Sequence, residues 1–338
     1  MKVLTCAEPG SLVYSEQEIP VAKKDHAIIR IRRIGICGTD LHAFGGNQPF
    51  FNYPRVLGHE LAGELVDTGD APGFSVGEAV TLIPYFNCGS CLPCRSGKPN
   101  HCVNIKVCGV HIDGGMAQYL SVPSYSLVHG KKLSFDQLAL VEPLAIGAHG
   151  VNRAGVQKDE WVLVIGAGPI GLGAMEFARI AGAKVIAMDL SDAKLQFCKA
   201  YLKVDETINA ASADVVEQLQ RITNGDMPTV VIDATGSLAA INNGFKYMSH
   251  GARYVLIGLQ KGNIEFNHPE FHKREATLMS SRNAVRADFD HVINALEQGW
   301  IDPLNYITHR VKFSGVKDDF ASWTKPETGV IKAMVTVD

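Results

Sequence analysis

WVLVIGAGPIG, residues 161–171, joins five apolar, strand-favouring residues to a G-x-G-x-x-G. Alone, the glycine pattern carries little weight; between a strand and a helix it carries much more. PIGLGAMEFARIAGA (169–183) reads as that helix, and AKVIAMDL (183–190) as the strand after it. Asp189 ends this second strand 18 residues beyond Gly171. A spacing of about 20 lets a carboxylate meet the ribose of a bound dinucleotide. Gly166 permits the tight turn, Gly168 lets the backbone approach a pyrophosphate, and Gly171 lets helix and strand pack closely. Pro169 and Ile170 complete the turn, where the helix offers free N–H groups and the positive end of its dipole. Asp189 would repel a 2′-phosphate, and Leu190 and Ser191 after it bring no arginine. The expected cofactor is therefore NAD rather than NADP.

Outward from this unit the same rhythm continues. DAKLQFCKAYLKV (192–204) reads as a helix, and TVVIDATG (229–236) and ARYVLIGL (252–259) as strands, the last placing Gly258 beside the cofactor. Strands alternating with helices predict an α/β fold, a doubly wound parallel sheet covered on both faces. ADFDHVINALEQG (287–299) reads as a later helix and IKAMVTV (331–337) as a closing strand. Before about residue 150 the pattern differs. AIIRIRRIGIC (27–37), RVLGHELAGELV (55–66) and GEAVTLIPYF (77–86) are short strand-like runs cut by Gly and Pro, a β-rich and loop-rich region.

With 338 residues the chain can build two cores. Lys and Arg number 32 against 35 Asp and Glu, so nothing points to a nucleic-acid partner. Runs such as Lys23-Lys24 and Lys131-Lys132 read as solvated faces. MKVLTCAEPG opens without the apolar run of a signal peptide, and the longest apolar stretches are glycine-broken and too short to span a bilayer. A cytoplasmic protein with no membrane partner is expected. In that reducing compartment eight cysteines serve metal or catalysis rather than disulfides.

CGSCLPCRSGKPNHC (88–102) places Cys88, Cys91, Cys94 and Cys102 in a C-x2-C-x2-C-x7-C run. Four thiolates so close can complete a tetrahedral shell around zinc, a structural site. The final spacing, and the lack of a proline after Cys102, depart from the bacterial ferredoxin run. CGTDLH (37–42) belongs to a second group. Cys37 needs partners, and GHE (58–60) offers His59 and Glu60, while VEPLAIGAHG (141–150) offers Glu142. A cysteine, a histidine and one or two glutamates leave a position open, the make-up of a catalytic zinc. Asp40 is placed to orient the other nitrogen of His59. Thr39 is placed to meet a bound alcohol, and His42 to pass its proton to solvent.

In their order along the chain, GICGTDLH, GHE, the four-cysteine lobe, Glu142-Pro143 and GAGPIG with Asp189 resemble the zinc-dependent medium-chain alcohol and polyol dehydrogenases. The likeness covers essentially the whole chain. It implies a GroES-like β-rich catalytic domain from residues 1–148 and 284–338, with a structural zinc lobe at about 86–104, and a Rossmann NAD-binding domain at 149–283. Classical alcohol dehydrogenases carry a cysteine at the position of Glu142, whereas the polyol branch has glutamate there and at Glu60. In some members the residue matching Glu60 contacts zinc directly and the one matching Glu142 acts through water; the resemblance does not rank them here. Lys194 falls where the family places a lysine near the adenosine ribose. Bacterial members imply a homo-oligomer, a tetramer or dimer.

GGNQPFFNYPRVLGHE (45–60) and PEFHKREATLMSSRNA (269–284) are more similar still to bacterial sugar-acid dehydrogenases that oxidise L-galactonate or L-gulonate at C5. Asn47, Gln48 and Asn52 supply amides suited to hydroxyl groups. His111 and Arg282 are candidates to meet a hydroxyl or carboxylate, since arginine fits a carboxylate bidentately. The implied reaction is reversible oxidation of a secondary alcohol, with zinc as Lewis acid and NAD as hydride acceptor. A polyol dehydrogenase acting on galactitol or sorbitol would share every catalytic residue. An NAD-binding sensor or scaffold is the non-enzymatic alternative, but it should have lost part of the metal shell or relay that this chain keeps.

Overall fold

The computed structural model describes residues 1–338 except Ala22, Phe50 and Ala213. Two compact units emerge, Met1–Pro143 with Val285–Asp338, and Leu144–Ala284. The first boundary falls inside the helix Val141–Ala154, so one helix carries the chain from unit to unit.

In the first unit β1 (Lys2–Glu8) and β2 (Ser11–Glu16) form a hairpin, and β3 (His26–Ile36) is the longest strand. Strand β3 runs into the helix Gly38–Phe44. The expected 55–66 strand is two pieces, β4 (Arg55–Val56) and β5 (Glu60–Asp67). Gly58 separates them with a φ of +92°, a conformation that L side chains rarely adopt. Strand β6 (Ala79–Leu82) is followed by β7 (Tyr85–Phe86) and β8 (Lys106–Val107), which pair with each other and flank the four-cysteine lobe. Strand β9 (Tyr119–Pro123) pairs with β3, and β10 (Leu127–His129) with β6.

The second unit is one parallel sheet. Its strands are β11 (Trp161–Ile165), β12 (Lys184–Asp189), β13 (Glu206–Asn209), β14 (Val230–Asp233), β15 (Arg253–Leu256) and β16 (Thr277–Ser280). The order is β13-β12-β11-β14-β15-β16, so the winding reverses between β11 and β14. A ligand crevice opens at the carboxyl ends of strands where such a reversal occurs. The run 192–204 is not one regular helix. An α-helix, Asp192–Phe197, widens into a π-type turn, Cys198–Leu202, which ends at Lys203 with φ of +55°. That turn keeps both Cys198 and Leu202 buried.

The chain then returns to the first unit through the helix Arg286–Glu297, β17 (Ile307–Lys312) and β18 (Lys332–Thr336). Strand β18 lies beside β3, giving the order β10-β6-β5-β3-β18-β17. Ile29, Ile31, Ile34, Leu61, Leu65 and Val335 pack in its core, each buried side chain worth about 1.5–3 kcal/mol. The core of the second unit is built likewise from Leu163, Ile165, Ile186, Met188, Val231 and Tyr254. A β-rich unit and a doubly wound parallel sheet are what the sequence predicts.

Candidate active site

Strand β3 delivers Cys37 to the start of the helix Gly38–Phe44, and Gly58 turns the chain so that His59 and Glu60 open β5. The two segments are tied by Asp40, which is fully buried. Its carboxylate accepts from Cys37 N at 3.0 Å and from Gly58 N at 3.1 Å. Asp40 stands 3.8 Å from His59 Nδ1, beyond hydrogen-bond reach. That nitrogen is buried without a hydrogen-bond partner. Asp40 thus fixes the backbone that carries the histidine, and faces the ring as a nearby charge. Ligand atoms of Cys37, His59 and Glu60 all lie within 4.8 Å of one another.

Two residues absent from the sequence reading complete this centre. Lys332 on β18 is buried, and its Nζ donates to both Glu60 oxygens at 2.6 Å and to Ile36 O at 3.0 Å. All three ammonium protons are therefore used. The pair spans three strands, because β3 lies between β5 and β18. It can do so because Gly35, directly opposite Glu60 in register, has no side chain. A Cβ there would stand 2.1 Å from Glu60 Oε2. Burial opposes the charge on Lys332, but Glu60, Cys37 and Glu142 raise its pKa above the ordinary lysine value. A lysine within the apolar run IKAMVTV was the available sequence signal. Tyr85 on β7 is the second such residue: its hydroxyl donates to Glu142 Oε1.

Glu142 lies in the first turn of the helix Val141–Ala154 and is buried. Burial, joined by the charge of Glu60, pushes its carboxyl up to about 7 against the opposing effects of His59, Tyr85 and Lys332. Burial alone would lower the pKa of His59, but Asp40, Cys37 and Glu142 hold it well above the usual value. A thiol, an imidazole with an unpartnered nitrogen and a carboxylate therefore meet within 4.8 Å, with Glu142 a further carboxylate whose charge the imidazole feels. A divalent cation fits this donor set, because it relieves the mutual repulsion of its anionic members. On the same helix as Asp40, Thr39 is half-buried and His42 exposed.

The other cysteines form a closed, thiol-only cluster. The sulfurs of Cys88, Cys91, Cys94 and Cys102 lie within 4.8 Å of one another, with Cys91 3.4 Å from Cys94 and 3.8 Å from Cys102. A tetrahedron with Zn–S bonds of about 2.3 Å has edges near 3.8 Å, so zinc fits here as well. Hydrogen bonds from Ser90 and Cys91 lower the Cys88 thiol to about 5, while burial pushes its neighbour Cys102 up to about 11.

In the second unit, Gly166 takes φ of +100° and Gly168 caps the helix Pro169–Ile180. A Cβ on Gly171 would stand 1.8 Å from Gly166 O, whereas one on Gly168 would meet nothing within 4 Å. The turn is closed on its inner side and open where Gly168 faces. Asp189 accepts from Ala167 N at 2.7 Å and Ser191 N at 2.9 Å. A carboxylate has about four acceptor sites, so it retains capacity for ribose hydroxyls. A dinucleotide therefore fits the turn. Lys194 is half-buried one turn into the next helix, and Gly258 packs on the turn after β14.

The expected substrate residues are dispersed in character. Asn47 and Asn52 are exposed, Gln48 is half-buried, and Asn47 N donates to His42 O at 2.7 Å. His111 is half-buried, and its Nδ1 accepts from Val107 N at 3.0 Å, which leaves the ring proton on Nε2. Arg282 is exposed in the second unit, two residues past β16.

Comparison with known proteins matches residues 23–132 to the alcohol dehydrogenase GroES-like domain and residues 169–298 to the zinc-binding dehydrogenase domain. The chain is 42% identical over 337 residues to the L-galactonate-5-dehydrogenase of Escherichia coli K12, covering 99% of both chains. It is 31% identical to a sorbitol dehydrogenase of Halalkalibacterium halodurans, covering 93% of each. A crystal structure described as a short chain alcohol dehydrogenase, RspB, of Escherichia coli CFT073, complexed with NADH, aligns with a TM-score of 0.92 at 31% identity over 99% of both chains. Among the described residues, no helix is long and apolar enough to cross a membrane.

Proposed function

The chain belongs to the zinc-binding medium-chain dehydrogenases, oxidoreductases acting on CH–OH groups, and from that membership we propose that it oxidises a secondary hydroxyl of a sugar acid, L-galactonate or L-gulonate at C5, reversibly and with NAD. The end-to-end match to the L-galactonate enzyme carries the choice of substrate. The relation to a sorbitol dehydrogenase supports a second reading, in which a neutral polyol takes the same place.

In this reading Cys37 and His59, with Glu60 and Glu142, hold a catalytic zinc, and Cys88, Cys91, Cys94 and Cys102 hold a structural one. When bound, the zinc supplies Lewis acidity at the hydroxyl oxygen and the nicotinamide accepts the hydride. The chain's own groups do the rest. Asp40 keeps the Cys37 and His59 segments at a fixed separation through two backbone hydrogen bonds. Lys332 balances the charge of Glu60, and Tyr85 fixes the carboxylate of Glu142. Thr39 and His42 lie three residues apart on one helix face and so form a short path for the hydroxyl proton toward solvent. Gly166, Gly168, Pro169, Ile170 and Gly171 receive the pyrophosphate, with Asp189 and Lys194 at the adenosine ribose and Gly258 at the far end of the cofactor. Asn47, His111 and Arg282 bind the substrate's hydroxyls and carboxylate.

Initial rates of NADH formation with L-galactonate, L-gulonate, galactitol, sorbitol and a short secondary alcohol test this reading. It expects an aldonate to be the best substrate and Arg282→Ala to raise KM for the aldonate more than for a polyol. Faster turnover of a neutral polyol would replace the sugar-acid assignment by the second reading.

A further inference from the structure

Asp233 ends β14 at the carboxyl edge of the sheet and is fully buried, yet it has no part in the chemistry described so far. Its side chain turns back on the chain that follows. Oδ1 accepts from Thr235 N at 3.1 Å and Gly236 N at 3.2 Å, and Oδ2 from the Thr235 hydroxyl at 2.8 Å. The Thr235 hydroxyl in turn accepts from Ser237 N at 2.9 Å. The main-chain oxygen of Asp233 accepts from Ile257 N at 2.9 Å and Gly258 N at 3.1 Å. One residue thus joins the turn after β14 to the turn after β15.

The junction leaves no spare room. A Cβ on Gly258 would stand 2.1 Å from Gly236 N and 2.9 Å from Asp233 Oδ1. Gly236, at φ of +65°, packs on the Leu259 carbonyl, and Gly166 packs on the Thr235 methyl. These turns occupy the β14–β16 half of the sheet, across the winding reversal from β12 and Asp189. In a doubly wound sheet each half receives one mononucleotide, so the half opposite Asp189 receives the nicotinamide end.

We infer that Asp233 is a positioning residue for the nicotinamide half of the cofactor, locking the turns 234–237 and 257–259 into one rigid wall. The inference rests on the reading that this chain binds NAD. Removing the carboxylate takes the acceptor from Thr235 N, Gly236 N and the Thr235 hydroxyl, so the turn 234–237 comes loose from the turn 257–259, which the main-chain oxygen of residue 233 still holds. The glycine turn 166–168 and Asp189 keep their own hydrogen bonds, so the adenosine half is left in place.

Titration calorimetry of the zinc-loaded enzyme with NADH and separately with ADP tests this. Asp233→Ala is expected to weaken NADH by about tenfold and ADP by less than about twofold, and Asp233→Asn, which keeps the Oδ1 acceptor, to restore most of the loss. Thr235→Val removes only the hydroxyl bridge and carries the test if Asp233→Ala does not fold; a loss of about threefold confined to NADH is expected. Parallel weakening of NADH and ADP, or no change in either, would overturn the inference. A wild-type enzyme that binds ADP but gains nothing from the nicotinamide half would also overturn it. Failure to bind either ligand would instead remove the NAD reading on which it rests.

Discussion

The two candidate metal clusters of this chain are built on opposite principles. The thiol lobe draws all four donors from residues 88–102, and Cys88 is exposed. The Cys37 cluster gathers donors from residues 37 and 59–60, with its counter-charge on residue 332 and Glu142, held by Tyr85, as a further carboxylate of the proposed site. A contiguous set of like donors needs only a local turn to close. A dispersed set needs strand register, a glycine in the intervening strand and a buried cation before its members can meet. The first arrangement suits a metal that stays closed off. The second leaves donors of unlike chemistry facing one interior space, as reactivity toward an exchangeable substrate requires.

Substitution in the two clusters should separate them most clearly. His59→Ala is expected to lower kcat by about three orders of magnitude and remove one zinc per chain, with the circular dichroism spectrum unchanged. Cys91→Ser should instead lower thermal stability and leave turnover of the folded fraction largely intact at low temperature. If both variants lose activity equally while folded, the division between the clusters fails.

Lys332 comes next. Lys332→Met leaves Glu60 buried without its partner and should cost about 3–5 kcal/mol in urea unfolding. The double variant with Glu60→Gln should recover much of that loss. Gly35→Ala attacks the same pair from the intervening strand, because its Cβ would stand 2.1 Å from Glu60 Oε2. A smaller cost of about 1–3 kcal/mol is expected from such overpacking. Equal stability of both variants and the parent would mean that the buried pair contributes nothing.

How much of this was legible in the sequence follows the same division. The thiol lobe and the glycine turn are local patterns, and both fold as read. CGTDLH and GHE signal themselves as residue types, but their meeting depends on β3 pairing with β5, which no local pattern states. Lys332 and Tyr85 were missed because their partners lie 272 and 57 residues away. Asp233 lay inside the quoted stretch TVVIDATG, but its role depends on a turn at 257–259 that the next strand delivers. The irregular helix at 192–204 escaped notice because its apolar spacing fits an α-helix until the π-type turn at Cys198.

The remaining thiols give the smallest effect. Burial pushes Cys6 up to about 11 and Cys108 and Cys198 up to about 12, so all three stay protonated at pH 8. A raised pKa means that the thiolate forms only as pH climbs through that range. Alkylation of the folded protein at pH 8 should therefore spare these three, with or without a chelator. Chelation should add labels on Cys88, Cys91 and Cys94 alone in the lobe's accessible part. Labelling of Cys108 in the folded protein would contradict its burial.

The central claim is that Cys37 and His59 form the reacting metal site. It is tested most directly by zinc content and kcat measured together on the purified Cys37→Ala variant. The account predicts two zinc ions per chain in the parent and one in the variant, with turnover reduced by about three orders of magnitude and the fold retained. A folded Cys37→Ala protein that keeps both zinc ions and full turnover would contradict it.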